Sequence, residues 1–383
     1  MLQTSDLPVL DQDRNLVSQW QSRLPEILDS PDEVLVEAMR EIMEPANLLF
    51  THHLDITGQA GGAVQLLSTI CEERLGDRSI ALTLLGGLGD IDSAEPSYVL
   101  WELGRMVANS DELTSLFNTG LSDLELRLRQ SDAAQEFMEH FDNFLDVFGS
   151  RGPNEWETAC ETWGTNPASV LTLIDRMRLT DPENSPSVRA LELSKKREEA
   201  TLNARKELKG FGSWLFEKAL HSSILFSQAR ERSKTTIVDL IHVARLITRE
   251  LANRTAKERG NAELIDLWFV LESELDEFID NPSAFDEKIT ERKRVRGELS
   301  NRIPPFIFEG EIPDPKSWPL RSDVQVNHTQ YAEAGQILKG FGGCPGVAEG
   351  TAKVITDPSD PKDLGPGNIL IAPLTDPSWT PLF

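Results

Sequence analysis

Apolar residues recur at helical spacing along the first three hundred residues of the chain. One stripe follows an acidic first turn and consists of Val34, Leu35, Ala38, Met39 and Ile42. A second stripe consists of Ile237, Leu240, Ile241, Ala244 and Leu251. Because this spacing aligns side chains on one face of an α-helix, it predicts a large helical domain over residues 1–302. Further helices are expected over Ser187–Lys209 and Leu264–Ile279, and the glycine-rich stretch Gly58–Gly62 is expected to interrupt a helix.

An aromatic stripe stands out within this helical region. It consists of Phe137, Phe141, Phe144, Leu145 and Phe148. These positions share one helix face. They predict core packing or one wall of an apolar ligand pocket.

The pattern changes after residue 302. Five prolines between residues 303 and 319 predict an extended connector, assigned to 303–339, because proline fixes φ and cannot donate to a sheet. From Gly340 the pattern predicts strands at Val347–Ile355 and Asn368–Pro373. The expected fold class is therefore mainly α, with a large helical substrate-type domain followed by an incomplete β-rich domain over 340–383.

Composition narrows the range of functions. The 383 residues hold 38 Lys and Arg against 63 Asp and Glu, a net charge of −25. Nucleic acids and anionic membranes are therefore not expected as partners, because both favour a basic surface. The chain has no apolar run of about 18 residues that could span a bilayer. Three widely spaced cysteines favour a reducing, cytoplasmic location and predict no metal site.

Three blocks near the end of the chain carry a family resemblance. They are Gly346–Val354, Leu364–Pro373 and Thr375–Phe383. In order and spacing, they resemble the start of the swivelling (β/β/α) histidine domain of the PEP-utilising phosphotransferases. That family includes phosphoenolpyruvate synthase, pyruvate phosphate dikinase and rifamycin phosphotransferase.

The resemblance implies a reaction. In that family an ATP-grasp domain binds ATP with Mg²⁺, and a histidine on the swivelling domain carries phosphate to pyruvate or to a drug hydroxyl. The histidine motif would follow Phe383, and no ATP-grasp pattern precedes the helical region. We therefore expect a fragment truncated inside the swivelling domain, with no catalytic residue of its own and no cofactor bound by this chain. Alone, the chain is expected to be inactive, and its expected partner is an ATP-grasp domain in the parent protein or in another chain.

Two segments of the helical region supply candidate residues for binding the acceptor. The stretch Phe148–Glu155 resembles a Gly-x-Arg-Gly-Pro-x-Glu segment of the rifamycin phosphotransferase-like branch, and Arg230–Lys234 resembles a later segment there. Arg151 and Glu155 flank a Gly-Pro pair beside the aromatic stripe. They could clamp a polar group of a substrate, or pair with each other to order the loop. Arg230 and Lys234 share a helix face and could contact a phosphate.

Two kinds of function remain open at this stage. One is the acceptor domain of a dikinase-type phosphotransferase. The other is a non-catalytic ligand-binding module or a split subunit completed by another chain. The small-molecule acceptor is also open, since pyruvate, a rifamycin-like polyketide and another alcohol all fit the sequence.

Overall fold

The computed structural model describes residues 6–89, 92, 94–260, 263–305, 307–322, 335–338, 340, 347–356, 364–365, 367–372, 375 and 379. The chain divides into two compact units. The first consists of Met1–Pro25, Arg40–Arg245 and Cys344–Phe383, and the second of Glu26–Met39 and Leu246–Gly343. The domain bounds 1–302, 303–339 and 340–383 stay predictions.

Helices make up most of the described chain. The first seven are α1 (Pro8–Leu28), α2 (Asp32–Glu41), α3 (Met43–Ile70), α4 (Ile80–Leu84), α5 (Glu95–Ala108), α6 (Asp111–Asn118) and α7 (Leu124–Arg129). They are followed by α8 (Gln135–Phe148), α9 (Pro167–Leu179), α10 (Pro186–Glu207), α11 (Gly210–Arg259), α12 (Leu275–Asp280) and α13 (Asp286–Ser300). The prediction of a mainly α protein is confirmed. Within the described residues, none of the helices combines the length and apolarity needed to cross a bilayer.

Helix α3 corrects one expectation from the sequence. It runs without a break through the glycines at 58, 61 and 62. A glycine costs a helix about 1 kcal/mol relative to alanine. On the same helix, Ile56, Ala60, Ala63 and Leu67 are all buried. Burial of this apolar face outweighs the propensity cost, so the predicted interruption at Gly58–Gly62 is wrong.

The core of the first unit forms around α5, α8 and α9. The aromatic stripe lies inside it, since Phe137, Phe141 and Phe144 are all fully buried. Phe137 meets Phe117 of α6 edge-on at 5.9 Å between ring centroids, and Phe144 contacts Trp163 at 5.4 Å. The stripe is therefore core packing, as one of the two interpretations predicts.

Partly exposed ion pairs link segments of the second unit. Arg254 pairs with Asp32 at 2.9 Å and with Glu250 at 2.7 Å.

The predicted helix over Leu264–Ile279 is replaced by 3₁₀ turns at Leu264–Phe269 and Glu272–Glu274, followed by the short α12. The Glu274 carboxylate accepts a hydrogen bond from the backbone N–H of Leu271 at 3.0 Å. This bond is of the capping-box type, which satisfies a free N–H where a helical segment begins, so a new segment starts at Leu271 and the helix is not continuous over Leu264–Ile279.

Two short strands pair in parallel near the end of the chain. They are β1 (Thr351–Val354) and β2 (Asn368–Ile371), with Thr351 opposite Asn368 and Val354 opposite Ile371. The second strand alternates half-buried and exposed residues. The two predicted strands therefore form within the expected ranges, and the second is only partly buried. Much of the predicted histidine-domain segment lies outside the described residues.

Helix α5 packs so closely on α9 that one position excludes a side chain. A Cβ added at Gly104 would lie 2.7 Å from Met177 Cβ and 2.9 Å from the Arg178 nitrogen. We expect Gly104→Ala to destabilise the protein by about 2 kcal/mol through overpacking. Urea unfolding measures this as a lower midpoint.

Gly62→Ala is the matched control, because Gly62 is also helical and has no atom within 4 Å of its added Cβ. This variant should gain up to about 1 kcal/mol from helix propensity. Equal midpoints for the two variants would contradict the close α5–α9 contact.

Candidate functional site

The loop between α8 and α9 is fixed by one buried guanidinium from α11. Arg245 is 0% exposed. Its Nη2 donates to the carbonyls of Glu155 at 2.7 Å and Glu157 at 3.0 Å, and its Nε donates to the carbonyl of Cys160 at 3.0 Å. The three hydrogen bonds offset the cost of burying this charge, and they set the course of the loop backbone.

The two ends of this loop are closed against each other. The N–H of Gly164 donates to the carbonyl of Gly149 at 2.9 Å, and the N–H of Trp163 donates to that of Arg151 at 2.8 Å. A Cβ at Gly149 would clash with the Leu145 carbonyl oxygen and lie 3.1 Å from Gly164 Cα. Only glycine permits this approach, which places Arg151 and Glu155 beside α11.

The loop and α11 share a buried charge cluster. Arg151 Nε lies 3.1 Å from Glu155 Oε2, and Lys234 Nζ lies 2.9 Å from Glu155 Oε1. The Arg151 and Glu155 side chains are only 3% and 4% exposed, while Lys234 is 23% exposed. These contacts have ion-pair distances without aligned hydrogen-bond geometry. Arg151 also donates from Nη1 to Thr235 Oγ1 at 3.2 Å. One carboxylate therefore faces two cations in a nearly dry environment.

A second carboxylate of α11 lies close to this cluster. The Ser150 hydroxyl donates to Asp239 Oδ1 at 2.7 Å. Burial raises the pKa of Asp239 to about 6, although the Ser150 hydrogen bond and the Arg151 charge act in the opposite direction. The Asp239 carboxyl therefore gains and loses its proton closer to neutral pH than an exposed aspartate does.

An open cleft of about 470 Å³ adjoins Arg230 on the same helix. Its volume falls within the range of small-molecule sites. Most of its wall is apolar or small and consists of Leu85, Gly87, Leu88, Ala94, Pro186, Ala190 and Leu193. The polar groups are Ser97, Tyr98, Arg189, Ser227, Arg230 and Glu231. The Arg230 side chain is 50% exposed and pairs with Glu231 at 3.0 Å. The cleft thus combines an apolar wall with a few polar groups, two of which, Arg189 and Arg230, are accessible cations.

The imidazole of His53 on α3 lies beside the charge cluster. Its Nδ1 is 2.9 Å from Ser233 Oγ, and its ring is 5.9 Å from that of Trp156. Burial lowers the pKa of His53, and the charges of Arg230 and Lys234 lower it further while Glu231 opposes them. His53 is therefore mainly neutral near pH 7.

The structure separates the four predicted site residues into two kinds. Arg151, Glu155 and Lys234 meet in one cluster, where Arg151 and Glu155 are buried. Arg230 instead lines the cleft. Their role in substrate binding stays a prediction.

Sequence reasoning did not identify Arg245, His53 or the cleft. Arg245 follows Ile241 by four residues and so shares its otherwise apolar helix face. A charged residue at such a position could have been recognised as a buried group in need of partners. His53 and Ser233 are 180 residues apart, so no local pattern connects them.

Comparison with known proteins finds a matching family model and several similar proteins. Residues 52–231 match the family model described as the rifampicin phosphotransferase fourth domain. The rifampicin phosphotransferase of Streptomyces sviceus is 24% identical over 367 residues, covering 94% of this chain and 40% of that protein. The prodigiosin synthesizing transferase PigC of Serratia marcescens is 25% identical over 328 residues, covering 83% and 36%. An uncharacterised protein of Mycobacterium tuberculosis is 25% identical over 239 residues, covering 62% and 24%.

The chain therefore spans between 24% and 40% of the length of these relatives. All residues that line the cleft, and all four predicted site residues except Lys234, fall inside the matched range 52–231. The predicted resemblance to the rifampicin phosphotransferase-like branch of the PEP-utilising phosphotransferases is confirmed.

Proposed function

We propose that this chain supplies the acceptor-binding part of a dikinase-type phosphotransferase, and that its acceptor is a bulky, largely apolar molecule with a hydroxyl group, of the rifamycin type. The single observation that carries the proposal is the cleft at Arg230, which lies within the range matched to the rifampicin phosphotransferase domain.

The chemistry of the cleft favours this acceptor class over a small keto acid. Its wall offers leucine, alanine and proline side chains, which gain free energy by removing apolar ligand surface from water. Pyruvate carries a charge and little apolar surface. A site for it would need cations that converge in a small volume, whereas this cleft is open and its two arginines, Arg189 and Arg230, are set in a mostly apolar wall.

The charged residues have different roles in this proposal. Arg230 is accessible at the cleft and would hold a polar oxygen of the acceptor. Arg151 and Glu155 are buried and would fix the loop beside α11. Lys234 is partly exposed and pairs with Glu155, so it would help to hold the loop.

ATP, Mg²⁺ and the phosphorylated histidine belong to other parts of the proposed enzyme. Among the described residues, no group of three or more His, Cys, Asp or Glu side chains is placed to hold a metal ion. We therefore derive no step through Mg²⁺ and assign ATP binding to an ATP-grasp domain, in the same protein or in another chain. A swivelling histidine would carry phosphate to the acceptor held here.

Ligand binding tests the proposal directly. Titration calorimetry of the chain should show binding of rifampicin and none of pyruvate at equal concentrations. Leu193→Ala should weaken rifampicin binding roughly tenfold, because part of the apolar wall of the cleft is lost.

Leu202→Ala provides the control for this experiment. Leu202 lies on the same helix, α10, and is 56% exposed, compared with 43% for Leu193, but it does not line the cleft. Its truncation should leave affinity unchanged. Binding of pyruvate in place of rifampicin, or equal losses in both variants, would refute the proposed acceptor class or its site.

A second prediction separates binding residues from structural ones. Glu155→Gln should destabilise the protein by about 3 kcal/mol, because it leaves the buried Arg151 charge uncompensated. Arg230→Gln should change stability by less than about 0.5 kcal/mol, since the side chain is half exposed. The same change should weaken rifampicin binding about tenfold. Thermal unfolding and calorimetry measure the two effects.

Arg205→Gln is the matched control for Arg230→Gln. Arg205 is also 50% exposed and ion-paired, to Glu217 at 2.7 Å, but lies away from the cleft. If its loss weakened rifampicin binding as much, the effect of Arg230 would reflect general charge and not a contact in the cleft.

A third prediction concerns phosphorylation of the chain itself. Incubated with ATP labelled at the β- or γ-phosphate, the 383-residue chain should acquire no acid-labile label. The proposal places the phosphorylated histidine in the Gly-Gly-x-x-Ser-His segment of the family, which these residues do not contain. Label on any histidine of this chain would contradict that assignment.

A further inference from the structure

One wall of the cleft is formed by a glycine-rich segment without regular secondary structure. This glycine segment, residues 85–89, follows α4 and has the sequence Leu-Gly-Gly-Leu-Gly. Its residues Leu85, Gly87 and Leu88 line the cleft. Glycine leaves the backbone more conformational freedom than any other residue does. Unless other groups hold this segment, a ligand that packs on it has to order it and loses affinity by that entropic cost.

A guanidinium from α10 holds the first two glycines of the segment. Arg197 Nη1 donates to the carbonyl of Gly86 at 3.0 Å and to the carbonyl of Gly87. Its Nη2 donates to Ser194 Oγ at 2.8 Å, a contact within α10 that fixes the direction of the guanidinium. Gly87 has a φ of +58°, and a Cβ there would lie only 2.6 Å from the Ser194 nitrogen. The glycine segment is thus held closely against α10.

An amide from α11 holds the other end of the segment. Gln228 Nε2 donates to the carbonyl of Gly89 at 2.7 Å. Neither Gln228 nor Arg197 is among the residues that line the cleft. Their helices do contribute to it directly, through Leu193 of α10 and Arg230 of α11. Each of the two helices therefore supplies cleft residues together with a donor that holds the glycine segment.

We propose that Arg197 and Gln228 are positioning residues of the acceptor cleft, which order the glycine segment before a ligand arrives. The proposal rests on the function proposed above, with a bulky, largely apolar acceptor. When the segment is already ordered, Leu85 and Leu88 can cover apolar acceptor surface without a further loss of backbone entropy. Without either donor, part of the binding free energy is lost to ordering the segment.

Hydrogen exchange of the ligand-free chain tests the positioning itself. Arg197→Met removes the donors, so peptides that cover residues 85–89 should exchange about tenfold faster by mass spectrometry. Arg205→Met is the matched control, because Arg205 lies on the same helix but pairs with Glu217. It should leave exchange of the segment unchanged. Equal exchange of the segment in Arg197→Met and in the wild-type chain would overturn the inference, whatever any ligand experiment shows.

Rifampicin binding tests the consequence for the cleft. Titration calorimetry should show about tenfold weaker binding to Arg197→Met and to Gln228→Met than to the wild-type chain. Arg197→Lys keeps one charged donor and should recover part of this loss. Arg205→Met should bind rifampicin as the wild-type chain does.

A rescue experiment distinguishes ordering of the segment from a general structural role. Gly89 has no atom within 4 Å of an added Cβ, and its φ lies outside the left-handed region. Gly89→Ala therefore restricts the segment without strain. In the Gln228→Met background it should restore rifampicin affinity about two- to fivefold, and its effect should be smaller in the wild-type chain, where Gln228 already holds the segment. An equal effect in both backgrounds would overturn the inference.

These measurements separate failure of the inference from failure of the proposed function. Equal rifampicin affinities of the wild-type, Arg197→Met and Gln228→Met chains would overturn the positioning role and leave the acceptor class intact. Absence of rifampicin binding to all three chains would overturn the acceptor class, and hydrogen exchange would then decide whether Arg197 orders the segment.

Discussion

The buried guanidinium of Arg245 is the constraint on which the rest of the candidate site depends. It donates to three carbonyls of a loop that has no regular secondary structure of its own. Without a donor inside the protein, those carbonyls would need water, and the loop could not pack against α11. Its position in turn brings Arg151 and Glu155 to the same helix. A single residue remote from the cleft thus decides whether the charge cluster can form.

Buried charge in this cluster is tolerated because its members compensate one another. Glu155 is nearly inaccessible, yet two cations lie within 3.1 Å of its oxygens. Removal of such a carboxylate leaves a buried positive charge, which costs more than the intact pair contributes. The chain as a whole carries a net charge of −25. The two cations beside Glu155 therefore reflect pairing over short distances. The net charge of the chain does not indicate such a local group of positive side chains.

Local patterns predicted the helices well and the site only in part. The aromatic stripe of α8 was visible because periodicity reports which face is buried, but periodicity cannot distinguish a core from a pocket wall. The prediction of a break at Gly58–Gly62 was wrong because it used only the low helix propensity of glycine, which burial of one face of α3 outweighs. Arg151 and Glu155 were found through a motif in which they are four residues apart. The cleft and the contact between His53 and Ser233 join segments far apart in sequence, and such contacts become visible only when α3, α10 and α11 are placed in space.

Helix α11 carries residues that contact both the cleft and the loop between α8 and α9. Arg230 and Glu231 line the cleft, Ser233 contacts His53, Lys234 contacts Glu155, and further along Asp239 and Arg245 hold the loop. Successive residues of a helix differ by about 100° in direction, so adjacent positions serve different neighbours. Rotation of α11 by one residue would break the loop contacts and the cleft contacts together. Because one helix carries both sets of contacts, Asp239 and Arg245, which hold the loop, also help to fix the direction in which Arg230 enters the cleft.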